Sequence, residues 1–161
     1  MNLEILIFEV AGSRLSIPLE LVEEVVPSGV VTAIPNSPPF LLGLAAVRGK
    51  ILGVIDAALR FGIGPALNSH FLVCRVRGNL TAIAIDRPVV AGAVPVRSLE
   101  ESSYADLRKK FGIQDKFLKA GYELLEVKEE GAIPTSTGIH FAEIDADLFV
   151  STEMASKVGE A

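Results

Sequence analysis

The stretch from Ile34 to Gly62 constrains the fold of this chain more than any other part of its sequence. Three prolines lie between Ile34 and Phe40 and prevent regular structure there. Two apolar segments, Leu41–Val47 and Lys50–Ile55, follow and are joined at Arg48-Gly49, and an aspartate then opens a short helix. The order predicts a β-hairpin with one cation at its tip. No catalytic group accompanies that cation, so the stretch favours a role in holding a partner.

The size of the chain predicts one domain over residues 1–161, and its short strands and tight turns predict an all-β class. Half of the residues are apolar, yet no apolar run approaches the ~20 residues that a membrane-spanning helix needs. The surplus is expected in buried strands or in strands with an apolar outer face. The N-terminus carries Glu4 and lacks a basic segment, so it is not a signal peptide. The single cysteine, Cys74, excludes an internal disulfide and a multi-cysteine metal site. A cytoplasmic protein is expected.

The charge distribution argues against a nucleic-acid binder. The net charge is −5, whereas binding to phosphates needs a basic face that displaces counterions. The one basic cluster, Arg108–Lys110 with Lys116, is interpreted as a solvated helix face.

Hydrophobic patterns and turn residues place the remaining elements. Leu3–Val10 and Arg14–Ile17 predict a hairpin, and Pro18–Val25 predicts a short helix with Leu19, Val22 and Val25 on one stripe. The second half predicts a hairpin at Gly78-Asn79, three further strands and one polar helix, in the segments His70–Arg77, Leu80–Ile85, Val89–Val96, Ser102–Phe111, Phe117–Val127 and Ile139–Ile144.

A weak internal repeat places an aspartate at the end of three strands. Gly49 leads to Asp56, Gly78 to Asp86, and Gly138 to Asp145. Asp56 and Asp145 precede helical segments, so they are predicted to cap helix N-termini, each contributing about 1 kcal/mol. Asp86 precedes Arg87-Pro88, which favours a turn.

Two other classes of function remain open from the residues themselves. A hydrolase or transferase would assemble its site from Asp56, Asp86, His70 and His140, and these groups would have to converge around a cleft. A ligand-binding β-barrel would enclose a polar cavity between its halves. Neither class has a sequence motif in its favour; Cys74 lies in an alternating strand and is interpreted as a small buried hydrophobe.

Residues 7–62 resemble the CheW-type coupling domains of bacterial chemotaxis-like signalling, in the family's order and spacing. The matching segments are Phe8-x-Val10-x-Gly12, Ile17–Val25, Ile34–Gly43, Val47–Leu52, Val54–Asp56 and Phe61-Gly62. His70–Val96 fits the next strands of the family, and Ile144-Asp145 resembles its closing strand and helix. The resemblance implies two SH3-like five-stranded β-barrels that share an apolar core. We expect one barrel from 14–65 with the C-terminal closing segment, and the other from 3–13 with 70–150.

The resemblance also implies a non-catalytic adaptor without cofactor or metal. Members of this family bind the cytoplasmic tip of a methyl-accepting-type chemoreceptor and the regulatory domain of a CheA-type histidine kinase, and so work at membrane-associated receptor arrays. Arg48 falls on the arginine of the family's hairpin turn, with Gly49 after it, and Glu24 falls where a glutamate faces that arginine. Leu19 and Val22 fall on apolar positions near the receptor- and kinase-facing edge. Phe40, with Pro38 and Pro39, is expected to make the approach to the arginine hairpin rigid.

The sequence departs from the family's pattern in two places. Ala46-Val47 replaces the family's Asn-Leu before the arginine, and the polar segment 98–137 is almost unmatched. The alternative is therefore a CheW-like module of a pilus, gliding or developmental pathway with a changed partner. The unmatched segment also leaves open whether the barrel expected from 3–13 and 70–150 is complete.

Overall fold

The computed structural model describes residues 1–151, which form ten strands and three short helices. The strands are β1 (Asn2–Val10), β2 (Ser13–Pro18), β3 (Val22–Pro27), β4 (Leu41–Val47), β5 (Lys50–Asp56), β6 (His70–Val76), β7 (Asn79–Ile85), β8 (Arg87–Ser98), β9 (Leu118–Glu126) and β10 (Thr135–Ile144). The helices are α1 (Ala57–Phe61), α2 (Glu101–Phe111) and α3 (Ala146–Phe149), and 3₁₀ turns cover Leu19–Leu21 and Asp115–Phe117.

Five strands close into a complete barrel, called here the first barrel. Their order is β1-β2-β10-β9-β8, and β8 pairs back onto β1. All neighbours are antiparallel except β2 and β10. Strand β9 lies in the unmatched segment 98–137 and fills the place between β8 and β10. Strand β9 therefore completes the barrel.

The other five strands form the second sheet, in the order β3-β6-β7-β5-β4. Its edge strands β3 and β4 do not pair with each other; instead Thr32, in the segment after β3, bridges to Leu44 of β4. The bridge requires Gly43, because a Cβ there would lie 2.0 Å from the carbonyl oxygen of Thr32. Of the two barrels that the resemblance implies, one closes by continuous pairing and the other by this single bridge.

Several strands are buried on both faces, which explains the apolar surplus of the sequence. In β1, Ile5 and Ile7 point into the first barrel while Leu6 and Phe8 point into the space between the two sheets. Strands β6 and β7 follow the same rule, and strands buried on both faces read as continuous apolar runs. The space between the sheets is filled by one cluster, the central core, which includes Leu6, Phe8, Val10, Leu15, Ile17, Ile55, Phe61, Leu72, Cys74, Val76, Ile83, Ile85, Phe117, Ile144 and Phe149. The expected shared apolar core is therefore present.

The division of the chain between the two sheets differs from the expected one. The first barrel takes residues 2–18, 87–98 and 118–144, and the second sheet takes 22–27, 41–56 and 70–85. The expected boundary between the two barrels at residues 13 and 14 was wrong. Ala11-Gly12 is a two-residue turn that keeps β1 and β2 paired in one sheet. The β6–β7 hairpin belongs to the second sheet because β6 pairs with β3 and β7 pairs with β5.

The predicted helix over Pro18–Val25 was also wrong. Only Leu19–Leu21 is helical, as one 3₁₀ turn, and β3 begins at Val22. The β-branched residues Val22, Val25 and Val26 lose side-chain freedom in a helix and fit a pleated sheet, and pairing with β6 satisfies the backbone. The second-half hairpin turns at Arg77-Gly78, one residue earlier than expected.

The aspartates that end the repeated strands accept hydrogen bonds from backbone amides. Asp56 accepts from the amide of Leu59 at 3.0 Å and Asp145 from the amide of Leu148 at 3.1 Å, which confirms both predicted helix caps. Asp86 accepts from the amides of Ala11, Leu67 and Asn68 instead, so it organises turns.

Replacing Asp145 by Ala is expected to lower the free energy of unfolding by about 1 kcal/mol, because the amide of Leu148 loses its acceptor. Asp145→Asn keeps an acceptor and is expected to lose little. Urea denaturation of both variants measures the difference. Equal losses would contradict the capping role.

A buried carboxylate ties three strands of the first barrel together. Glu123 on β9 is 5% exposed and accepts hydrogen bonds from Ser136 of β10 and Arg97 of β8. These bonds favour the charged form and lower the pKa of Glu123, while burial opposes them.

The stability contributed by ionised Glu123 is expected to depend on pH. A lowered native pKa means that this contribution is complete above the ordinary glutamate pKa, about 4.3, and is lost as pH falls through the native value. Denaturation of the wild type and of Glu123→Gln between pH 6 and 3 should therefore give curves that converge at low pH. A difference that stays constant over this range would show that the charge of Glu123 is not involved.

Candidate functional site

The tip of the β4–β5 hairpin presents one arginine to solvent. Arg48 and Gly49 have φ values of 48° and 79°, the two positive angles of a type I′ turn that matches strand twist. Glycine adopts this conformation without cost, and an added Cβ at Gly49 would meet nothing within 4 Å. The side chain of Arg48 is 73% exposed. The hairpin thus holds a guanidinium at a fixed place on the surface.

An ion pair connects Arg48 to the opposite edge of the second sheet. Its Nε donates to Oε2 of Glu24 at 2.5 Å, and Glu24 lies on β3 whereas Arg48 follows β4. The two edge strands therefore meet at this pair as well as at the bridge between Thr32 and Leu44. In the described part of the chain this is the only side-chain bond of Arg48, so its terminal amino groups keep donors for another molecule. The structure brings together the two residues that the resemblance paired.

A shallow groove of about 260 Å³, called here the Arg48 groove, runs beside this ion pair. Its floor is apolar and its rim is charged. The floor consists of Val47, Leu52, Val73 and Leu80, and the rim consists of Glu23, Glu24, Arg48 and Lys50. Such a surface can receive an apolar side chain while the rim bonds to the polar atoms around it.

A β-bulge explains why two consecutive glutamates line the same groove. In a regular strand Glu23 and Glu24 would point to opposite faces. The pairing of β3 with β6 shifts between Val22 and Glu24, and a bulge of this kind re-aims a side chain. Sequence reasoning missed Glu23 because it predicted a helix there. Glu23 also pairs with Arg75 of β6 at 3.0 Å.

The remaining predicted site residues lie against the central core. Leu19, Val22 and Phe40 are half-buried and pack on it. The ring of Phe40 lies 4.2 Å from the guanidinium carbon of Arg60. Leu80 lines the groove although no sequence signal pointed to it, because only the strand order places β7 beside β5 of the hairpin.

The residues of the enzyme alternative do not form one site. Asp56 and Asp86 both bond to Asn68 and otherwise accept backbone amides, and His70 contacts the carbonyl oxygen of Asp86 at 2.9 Å. His140 lies on the first barrel, beside α2. Asp56, Asp86 and His70 therefore lie near one another around Asn68, where the two carboxylates hold loops, while His140 lies on β10.

The interior is also unlike that of a ligand-binding barrel. The central core fills the space between the sheets with apolar side chains, where the alternative needs a polar cavity. Cys74 is fully buried in this core, and burial raises its pKa to about 12. The thiol is therefore protonated and acts as a small hydrophobe, as the sequence indicated.

Comparison with protein families gives the decisive match. The model of the CheW-like domain matches residues 4–116. This chain belongs to the CheW-like family. Similar proteins include the probable chemotaxis protein CheW of Rhizobium etli, 29% identical over 86 residues. Protein FrzA of Myxococcus xanthus is 41% identical over 58 residues, and the chemotaxis protein CheW of Thermotoga maritima is 26% identical over 117 residues.

The extent of these matches differs from one relative to the next. They cover 52%, 36% and 71% of this chain, and 56%, 36% and 76% of the respective relatives. The chain thus spans about half of the length of the Rhizobium etli protein and about a third of the length of FrzA.

The fold of this CheW-like chain matches a solved structure along nearly all of its length. The crystal structure of the scaffolding protein TtCheW from Thermoanaerobacter tengcongensis superposes with a TM-score of 0.66, covering 95% of both chains at 20% identity. At this identity the likeness shows a common fold. None of the helices in the described residues is long and apolar enough to cross a membrane.

Proposed function

We propose that this CheW-like protein is a non-catalytic adaptor of chemotaxis-like signalling. It couples the cytoplasmic tip of a chemoreceptor to the regulatory domain of a CheA-type histidine kinase through protein–protein contacts. The observation that carries the proposal is the Arg48 groove, in which an exposed guanidinium is fixed by Glu24 beside an apolar floor. The names of the relatives, chemotaxis proteins among them, support the same pathway class.

The outer face of the same hairpin adds apolar surface suited to a partner. Leu44 is 40% exposed and Ile51 is 70% exposed, and Ala46 lies directly opposite Ile51. Exposed apolar residues that cluster on one face are typical of interaction sites. The hairpin therefore offers a charged groove on one side and an apolar strand surface on the other.

Arg48 and Glu24 are the proposed centre of the partner-binding surface, and Gly49 keeps the turn open for approach. Leu19, Val22 and Phe40 stay predicted members, since each combines a half-buried position with packing on the central core. The interface is expected to be modest in area, with avidity in an array adding to the affinity. A cytoplasmic location at membrane-associated arrays follows from these partners.

Reconstitution tests the coupling function directly. Membranes that carry the chemoreceptor are mixed with the CheA-type kinase from the same genome, with and without this protein, and kinase phosphorylation is measured as attractant is added. Attractant-dependent phosphorylation only when the protein is present is the expected result. Kinase phosphorylation that is the same with and without the protein, together with no binding in a pull-down, would contradict the proposal.

A changed partner within the same adaptor class is the second candidate. The highest identity among the relatives described above is to FrzA, and Ala46-Val47 stands where the family has Asn-Leu. Kinases of the other chemotaxis-like gene clusters of the genome are therefore included in the pull-down. Binding to one of them alone would assign the protein to that system.

A further inference from the structure

A second groove lies on the first barrel, between α2 and the outer face of the strands. It measures about 250 Å³ and is called here the α2 groove. Gly12 and Arg14 of the β1–β2 hairpin line one side, and Gly138 and His140 of β10 line the other. The pairing of β2 with β10 covers Ala142 and Glu143, further along β10, so the groove opens where these strands part. None of its lining residues belongs to the Arg48 groove.

One face of α2 forms the roof of this groove. Ser103, Asp106, Leu107, Lys110 and Phe111 line it, at the i, i+3, i+4, i+7 and i+8 spacing of one helix face. Leu107 is the only buried residue of α2. Core packing accounts for Leu107 and, in part, for Phe111 of this face, and it does not involve the polar residues Ser103, Asp106 and Lys110.

The charge of the α2 groove is opposite to that of the whole chain. Two cations, Arg14 and Lys110, and one acid, Asp106, line it, whereas the chain carries a net charge of −5. Arg14 approaches Glu9 at 3.7 Å and stays 41% exposed. Among the described residues Lys110 forms no ion pair. Arg14 and Lys110 can therefore each bind a carboxylate of another molecule.

The structure also separates the members of the basic cluster at the end of α2. Arg108 lies over the ring of Tyr104 at 4.6 Å and approaches Asp115 at 3.8 Å. Lys109 lies outside the groove lining, and Lys110 faces the groove. Lys109 and Lys110 are exposed, as the interpretation of a solvated helix face expects, whereas Arg108 is half-buried.

We propose that the α2 groove binds an acidic peptide segment of a partner protein, on the half of the molecule away from the Arg48 groove. The lining from Ser103 to Phe111 spans about 12 Å at 1.5 Å per residue, which matches three to four residues of an extended peptide. Carboxylates of the peptide reach Arg14 and Lys110, and an apolar side chain between them rests on Leu107 and Phe111. The open volume is smaller than the ~300–1,000 Å³ of small-molecule pockets.

Binding of a labelled hexapeptide of alternating Glu and Leu to the α2 groove is tested at low salt, where surface charges are weakly screened. Binding is measured by fluorescence anisotropy, and amide chemical shifts locate the contact. Lys110→Glu is expected to weaken binding about tenfold, since it replaces an attraction by a repulsion. Lys109→Glu is the matched control, because it changes the net charge equally on the neighbouring residue outside the groove.

Each outcome decides the proposal. Shifts at Gly12, Gly138 and α2, with a loss for Lys110→Glu but little for Lys109→Glu, support it. Equal losses for both variants would mean long-range attraction without a site, and would overturn it. No binding by the folded wild type, or equal binding of the version with Gln for Glu, would also overturn it. Full displacement by a few millimolar inorganic phosphate would assign the groove to small anions instead.

Discussion

Arg48→Glu is expected to abolish binding to the kinase or the receptor while leaving the melting temperature of the protein nearly unchanged. Arg48 is 73% exposed and its pair with Glu24 lies at the surface, where ion pairs contribute about 0–1 kcal/mol to folding. Binding depends on the guanidinium donors, which the substitution removes. It also adds a third carboxylate to those of Glu23 and Glu24 on the rim of the Arg48 groove.

Pull-down and titration calorimetry against the kinase regulatory domain and the receptor tip measure this effect. Arg75→Glu is the matched control, since Arg75 is an exposed arginine of the same sheet that pairs with Glu23 and lies outside the groove lining. Binding should survive in the control. If Arg48→Glu unfolds, the pair with Glu24 holds the sheet edges together and the assignment of Arg48 as a binding residue is wrong.

Arg60→Ala is expected to lower the free energy of unfolding by about 2–4 kcal/mol. Arg60 is 6% exposed and donates from Nε and Nη2 to the carbonyl oxygens of Phe149 and Leu148, both at 3.2 Å. Its guanidinium carbon lies 4.2 Å from the ring centre of Phe40 and 5.1 Å from that of Phe117. The substitution leaves buried carbonyls without these donors and opens space between the rings.

The position of Arg60 explains the size of this effect. Arg60 lies on α1, which follows β5 of the second sheet. It bonds to α3, which follows β10 of the first barrel. Burial disfavours the charged form and lowers the pKa of Arg60, so the carbonyls and rings must offset this cost.

Urea denaturation compares Arg60→Ala with Arg60→Lys. Lysine keeps the charge but loses the planar contacts with the rings, so an intermediate loss is expected. An alanine variant as stable as the wild type would show that the contacts of Arg60 only offset its desolvation.

The hairpins and helix caps were predictable because they depend on neighbours in sequence. Two-residue turns with glycine, strands of alternating or continuous apolar residues, and the caps at Asp56 and Asp145 need no distant contact. The family pattern supplied the pair of Arg48 and Glu24, whose members are 24 residues apart. Glu23 was missed because a helix was predicted there, and the bulge that turns its side chain into the groove exists only when β3 pairs with β6.

The sequence by itself determined the all-β class, the hairpin that carries Arg48 and the apolar strands that need burial on both faces. Only the tertiary structure decided which hairpin joins which sheet, how the edges of the second sheet meet at Glu24 and Arg48, and how α2 lies over the first barrel. The physical reason is that a strand's own residues specify its two faces and its turns. Its partners across the sheet are selected by the packing of the whole core, to which residues from Leu6 to Phe149 contribute together.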